Sequence, residues 1–512
     1  MRLVAALLAL ALAAPAAADT QKLYAEHCAI CHGAERLGGI GPALLPSNLE
    51  RLRKPAAIET VAKGRVATQM PGFADKLSRE EIAGLVELVY AKIEPEPRWG
   101  ESDIRASRVV HHAPGSLPDR PQFAADPLNL FVVVETGDHH VSVLDGDRLE
   151  RIHRFASRYA LHGGPKFTPD GRYVYFASRD GWISKFDLWN LKTVAEVRAG
   201  INTRNAAVSS DGKYVAVANY LPHSLVILDA DLSLVKVLDV KDKEGRASSR
   251  VSAVYDAGPR RSFVAALKDV KELWEVSYDP KAPDIPTGLV HDFQYREGAF
   301  VPGFLNARRT PLDDYLDDFF FTPDYSAVMG ASREGGSGQV VNLDVRRKIA
   351  TLDVPGMPHL GSGITWTRDG RPVMATPNLR EGVVSVVDMK DWKTVGQIRT
   401  LGPGFFMRSH ENTRYAWVDS MMSPAHKDTL QVIDKDTLKV VAALRPEPGK
   451  TLAHVEFTRD GRYALASLWE MDGALIVYDA QTLQEVKRIP MKKPVGKYNV
   501  YNKVTRSEGT SH

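Results

Sequence analysis

The chain holds only two cysteines in 512 residues, Cys28 and Cys31, and His32 follows directly in the run Cys28-Ala29-Ile30-Cys31-His32. A pair with this spacing serves either a redox disulfide or a haem attachment site, and the adjacent histidine decides for haem. The two thiols form thioethers to the haem vinyls, while one helical turn holds His32 against the iron. A zinc site would need further Cys or His partners, and none stands nearby in sequence. Met70, in Met70-Pro71-Gly72-Phe73 about 40 residues on, is the expected second axial ligand, and a thioether there raises the haem potential.

Such ligands need a small helical domain to hold them. Tyr24 and His27 precede the motif and Gly41-Pro42 follows it. The stretch Ser78 to Lys92 has a capping serine, acids in its first turn and apolar residues at helical spacing. The spacing predicts an all-α, class-I-like cytochrome c domain over residues 19–95. Residues 1–18 carry Arg2, then about eleven apolar residues, then Ala16-Ala17-Ala18. That is the pattern of a removed secretory signal, and in a bacterium it predicts the periplasm. No later run approaches the ~20 apolar residues of a membrane helix. Lys+Arg 66 against Asp+Glu 63 leaves a formal +3 and no reason to expect nucleic acid. A 44% hydrophobic content excludes long disorder.

Residues 96–124, with Pro97, Pro114, Pro118 and Pro121, read as an irregular linker whose His111-His112 pair is solvated. Beyond it the sequence repeats. Phe167-Thr-Pro-Asp170-Gly-Arg-Tyr leads into VYFAS, and Val208-Ser-Ser-Asp211-Gly-Lys-Tyr into VAVAN. Similar units start at Phe321, Trp366 and Phe457, and weaker ones near Asp126, Asp256 and His410. Asp170 and Asp211 stand 41 residues apart, and Asp324 and Asp369 stand 45 apart. Alternating apolar strands joined by Asp-Gly turns at this period predict an all-β, eight-bladed propeller over residues 125–505. The Asp-Gly turns are read as hairpin chemistry and not as calcium loops.

A haem c domain followed by such a propeller resembles the cytochrome cd1 nitrite reductases and their relatives, whose propeller holds haem d1 in a central funnel. Tyr159-Ala-Leu-His162, followed by Ser178-Arg179-Asp180 and Phe186-Asp-Leu-Trp189, is similar to the segment bearing the proximal d1 ligand. The resemblance therefore gives His162 that role. Gly200-Ile-Asn-Thr-Arg204 is similar to the segment whose arginine pairs with a d1 carboxylate, and Arg179 is a second candidate for such pairing. Pro358-His359 with Gly361 and Gly363 resembles a segment bearing a distal histidine, which makes His359 a ligand or pocket residue. Gly496-Lys-Tyr-Asn-Val-Tyr-Asn502 resembles the run that ends the array.

Two departures redirect the expected chemistry. The first distal histidine of the reductases corresponds to Asp317, and Tyr498 stands where they carry Phe. His454, in Leu452-Ala-His-Val-Glu456, adds a second group suited to proton transfer. The pattern resembles the branch of the family that acts in d1 biosynthesis and oxidises a propionate of dihydro-haem d1 to an acrylate. His454 and Tyr498 would then manage protons, while electrons leave through haem c. The expected partners are the tetrapyrrole, a periplasmic electron acceptor, and nitrite reductase or other d1-maturation proteins. A nitrite reductase and a non-enzymatic d1 carrier or electron-transfer protein are the alternatives. His410, although it has a counterpart in the family, is read as a structural turn residue.

Overall fold

The repeated Thr/Ser-x-Asp turns work by one local device. Thr168 Oγ1 donates to Asp170 and accepts from the Tyr173 amide at 3.0 Å. The same hydroxyl-to-carboxylate bond recurs at Ser209–Asp211, Thr322–Asp324 and Thr458–Asp460 at 2.6–2.7 Å. Gly171, Gly212 and Gly461 then take φ of 70–75° to reverse the chain, a conformation glycine adopts without steric cost. In the Thr322 turn Tyr325 occupies that position at φ 56°. The carboxylates are thus committed to hairpin bonds, as the sequence predicted.

In a computed structural model the chain is described over residues 14–505, apart from 51, 66–68, 96, 293–296 and 332–337. The expected signal falls largely on residues 1–13, outside the described residues. Among these residues the hairpins assemble eight sheets of four antiparallel strands, one with an added fifth strand. Across these sheets one edge strand is more buried than the opposite edge, most fully in Leu452–Phe457 against Glu485–Pro490. The buried edges are the inner strands of an eight-bladed propeller. Apolar layers between successive blades hold the ring, for example Ala216 and Ile227 against Val254 and Phe263. Each fully buried side chain of this size contributes about 1.5–3 kcal/mol.

The ring closes through its last strand. Pro494–Asn499 pairs with Leu130–Glu135, setting Tyr498 opposite Val132 and Lys497 opposite Val133. A closed ring removes the exposed strand edges that would otherwise seed association.

Ahead of the propeller, the helices Ala14–His27 and Arg79–Tyr90 pack through Tyr24, Ile82 and Leu85. Ser78 caps the second helix, accepting from the Glu81 amide at 3.2 Å while Glu81 accepts from the Ser78 amide at 2.7 Å. The stretch 96–124 is more ordered than the irregular linker expected from its prolines. Glu101–Ser107 is helical with Ile104 buried, and Val109–Val110 adds a strand to the first repeat's sheet. The reason is local: Gly100 N donates to Asp103 at 2.8 Å, Trp99 Nε1 donates to Arg198 O at 2.8 Å, and Arg198 lies over the Trp99 ring. His111 is partly exposed beside Glu196.

Candidate functional site

Cys28 and Cys31 are free thiols, partly exposed, at either end of a single helical turn. Burial raises both pKa values, that of Cys28 to about 11. His32 is buried, and its Nδ1 donates to Pro42 O at 2.8 Å. That bond fixes the tautomer and leaves the Nε2 lone pair for a metal. Arg36 ties the following loop to the carbonyls of Leu88 and Ala91. Met70 sits on a loop where its carbonyl accepts from the Arg65 amide at 3.2 Å, and Phe73 of that loop packs with Cys28 and Ala29. Two thiols on one turn, an imidazole with a fixed free nitrogen and a nearby thioether loop fit haem c.

Gly41 makes the histidine seat possible. A Cβ there would stand 2.6 Å from His32 Cε1 and 2.8 Å from Nδ1, which forces the ring to shift. Gly41→Ala is expected to cost ~1–3 kcal/mol of stability by overcrowding and to alter the haem absorption spectrum, checked by thermal unfolding and visible spectroscopy.

The second cluster lies where the inner propeller strands begin. His162 precedes Lys166–Phe167, Arg204 opens Asn202–Val208, and Asp317 precedes Asp318–Phe321. His359 precedes Ile364–Arg368, and His454 lies in Leu452–Phe457. Successive inner strands run in the same direction around the axis, so these residues share one rim. Arg179 joins them through its blade's second loop.

His162, Arg179 and Arg204 meet directly. His162 Nδ1 donates to Arg204 O at 2.8 Å, so Nε2 is the accepting atom. Nε2 faces Arg204 Nη1 at 2.7 Å and Arg179 Nη2 at 3.0 Å. Gly163 follows at φ 80° because a side chain there would strike Asn205. Across the rim, His359 Nδ1 donates to Phe405 O at 2.7 Å and Nε2 stands 3.9 Å from Asp318. Asp317 is buried and takes Lys268 Nζ at 2.7 Å.

His454 sits in a β-bulge: the ladder skips from Ala453 to Val455, and His454 takes φ 46°. For a residue with a Cβ that conformation costs about 1–2 kcal/mol, and bulges of this kind re-aim side chains near active sites. Its amide donates to Asp419 at 3.3 Å, and its carbonyl accepts from Lys497 Nζ. Its ring lies 4.7 Å from Phe406 and 5.2 Å from Tyr498, with Nδ1 3.4 Å from Lys497 Nζ. Nε2 is buried with no hydrogen-bond partner among the described residues. Burial, and then its basic neighbours, hold the His454 pKa well below the ordinary 6.5. Burial pushes Tyr498 upward, so it stays a phenol, and raises Asp419 to about 6. A neutral base beside a protonated phenol is equipped to move protons.

Lys497, Asp419 and Lys268 were not expected from sequence. Lys497, fully buried in the closing strand, was visible only as a cation in an apolar strand context. Asp419 ends the second strand of its blade and Lys268 directly follows the second strand of its own, positions where polar residues are common. His410 lies after Met407–Ser409, at the opposite end of the inner strands, with Gly461 against its ring. That position fits the structural role expected for it.

Residues 125–503 match the family described as the cytochrome D1 heme domain. The chain belongs to that family. Residues 15–89 match the family described as cytochrome c oxidase, cbb3-type, subunit III, so this cytochrome D1 heme domain protein begins with a cytochrome c-type domain. A dihydro-heme d1 dehydrogenase of Pseudomonas aeruginosa is 56% identical over 100% of both chains. A nitrite reductase of Stutzerimonas stutzeri is 25% identical over 94% of this chain and 92% of its own. Among solved structures, the dihydro-heme d1 dehydrogenase NirN in complex with DHE superposes with a TM-score of 0.81 at 56% identity. The superposition covers 95% of this chain and 99% of that one. No helix among the described residues of this cytochrome D1 heme domain protein is long and apolar enough to cross a membrane.

Proposed function

We propose that this chain is a periplasmic dehydrogenase of haem d1 biosynthesis that oxidises a propionate of dihydro-haem d1 to an acrylate. The full-length likeness to a dihydro-heme d1 dehydrogenase, 56% over both chains, carries the reading. The division behind it is a signal over residues 1–18, a haem domain over 19–95, a connector over 96–124 and the propeller over 125–505.

The substrate lies in the funnel with its iron near His162 Nε2. Arg204 and Arg179, which cover that nitrogen in this structure, turn to the substrate carboxylates, where a guanidinium binds in bidentate fashion. His359 faces the tetrapyrrole from its own side of the rim. Each conversion turns –CH2–CH2– into –CH=CH–, breaking two C–H bonds and releasing two protons and two electrons. His454, neutral and with Nε2 unengaged among the described residues, takes a proton from carbon. Tyr498, a phenol beside His454, shares the proton handling: its oxygen takes the second proton as its own hydroxyl proton passes on to solvent. Cys28, Cys31, His32 and Met70 would hold haem c, which when bound would supply a one-electron acceptor; a periplasmic redox protein is the proposed acceptor beyond it. Nitrite reductase and the other d1-maturation proteins are the recipients proposed for the product.

The test is the purified protein, loaded with haem c, given dihydro-haem d1 without oxygen. The expected result is the d1 absorption spectrum together with reduction of the c haem. Unchanged precursor in the presence of an electron acceptor overturns the dehydrogenase in favour of a carrier. Turnover of nitrite at a rate matching d1 enzymes favours the reductase alternative, against which the Asp317–Lys268 pair counts.

A further inference from the structure

The proposed reaction releases protons beneath a macrocycle that covers the rim, so they need a path that avoids the substrate face. Buried polar groups lie beyond His454 on its own strand, on the closing strand and on the helix that follows it. Lys497 Nζ sits 3.4 Å from His454 Nδ1, on the side of the ring away from Nε2. Two residues beyond His454 on the same inner strand, Glu456 is also buried. Its Oε1 accepts from Asn502 Nδ2 at 3.1 Å and the Phe457 amide at 2.9 Å. Its Oε2 faces Arg408 Nη2 at 3.6 Å and accepts no hydrogen bond among the described residues. The Asn502 carbonyl oxygen is buried and unpartnered in the same sense. Lys503 follows, with Nζ 5.4 Å from the Tyr498 ring centroid.

Glu456, Asn502 and Lys503 line a cavity of about 690 Å³ at the far end of the inner strands, together with Arg408 and the exposed Glu411 and Asn412. Buried polar atoms without protein partners are where bridging waters bind when the site is polar and roomy enough. Nothing in the binding of a tetrapyrrole at the rim calls for a carboxylate and an amide oxygen this deep.

We propose that the propeller axis is the proton exit: His454 takes a substrate proton at Nε2 and gives its Nδ1 proton to Lys497, which passes it through bridging water to Glu456 and out through the cavity at the far end. The transfer carries one of the two protons released and leaves the imidazole neutral as its Nε2–H tautomer, and Lys497 is an uncharged amine until it receives the proton. Burial, which lowers the Lys497 pKa well below the ordinary value, supports that uncharged state, with Glu456 and Asp419 countering it. Lys497 and Glu456 are relay groups acting through His454. The proposal rests on the assignment of His454 as the base.

The test uses the haem-loaded full chain with dihydro-haem d1. Glu456→Gln keeps the shape of the side chain and removes the proton acceptor. It is expected to lower kcat by on the order of 100-fold with substrate affinity unchanged, to raise the solvent deuterium isotope effect, and to regain rate with added formate. Asn502→Leu, at the cavity mouth, is expected to lower kcat by ~10-fold and to raise the isotope effect in the same direction. Wild-type kcat and isotope effect in Glu456→Gln, with His454→Ala inactive, overturn the relay and leave the base in place. If Glu456→Gln fails to bind substrate, Asn502→Leu decides alone: a wild-type isotope effect there overturns the route. A wild-type protein that converts no precursor removes the dehydrogenase reading and the relay with it.

Discussion

His454→Ala is expected to slow conversion of dihydro-haem d1 by ~10²–10⁴-fold, the range for a positioned general base, while the protein still binds the precursor. Under the proposed function His162, Arg179 and Arg204, on other blades, would grip the substrate, so affinity and rate separate. A single-turnover experiment with a binding titration checks both, and equal rates in mutant and wild type remove His454 from the chemistry. The pH profile carries the same information. The groups around the imidazole are Lys497 and Tyr498 on the closing strand, Arg408 and Asp419 on the preceding blade, Glu456 on its own strand and Lys503 beyond. Burial and the basic members of this set depress its pKa. A base held low stays unprotonated as pH falls through 6.5, so the rate is expected to remain level there and to drop only in more acid solution. An acid limb centred at 6.5 would mean a solvated imidazole. The same sign applies to stability: the unfolded histidine binds its proton below 6.5 and the folded one resists, so acid weakens the fold there.

Cys28→Ser together with Cys31→Ser is expected to abolish covalent haem attachment and with it repeated turnover. With no second cysteine pair in the chain, nothing else forms the thioethers. The check is haem staining after denaturing electrophoresis, followed by product formation under anaerobic conditions. Precursor binding is expected to persist at the wild-type level, since the funnel residues all belong to the propeller. Retained steady-state conversion in the doubly substituted protein would show that electrons leave the tetrapyrrole by another way.

The cytochrome c-type domain and the residues proposed to hold its haem were legible because their chemistry is local. Cys28, Cys31 and His32 need only one helical turn, and Ser78 with Glu81 announces a helix within four residues. The blades were legible because each repeats the same turn device, from Thr168–Asp170 to Thr458–Asp460. The order within residues 96–124 was not, because it depends on Trp99 reaching Arg198, a contact between segments far apart in sequence. Lys497 was hidden for a similar reason. Its neighbours His454, Glu456 and Asp419 come from other strands, and only ring closure brings them within reach. His454 itself was named through a family pattern; the bulge and positive φ that aim it are not written in any short motif.

Closure through the last strand ties the assembly of the ring to the delivery of two buried polar side chains beside His454. Lys497 and Tyr498 arrive on Pro494–Asn499, the segment that also zips to Leu130–Glu135. A nascent or truncated chain therefore has an open ring and, in the same stroke, lacks its phenol and its buried amine. Under the proposed function, a ring left open at this seam would hold His454 without the phenol and the amine that face it.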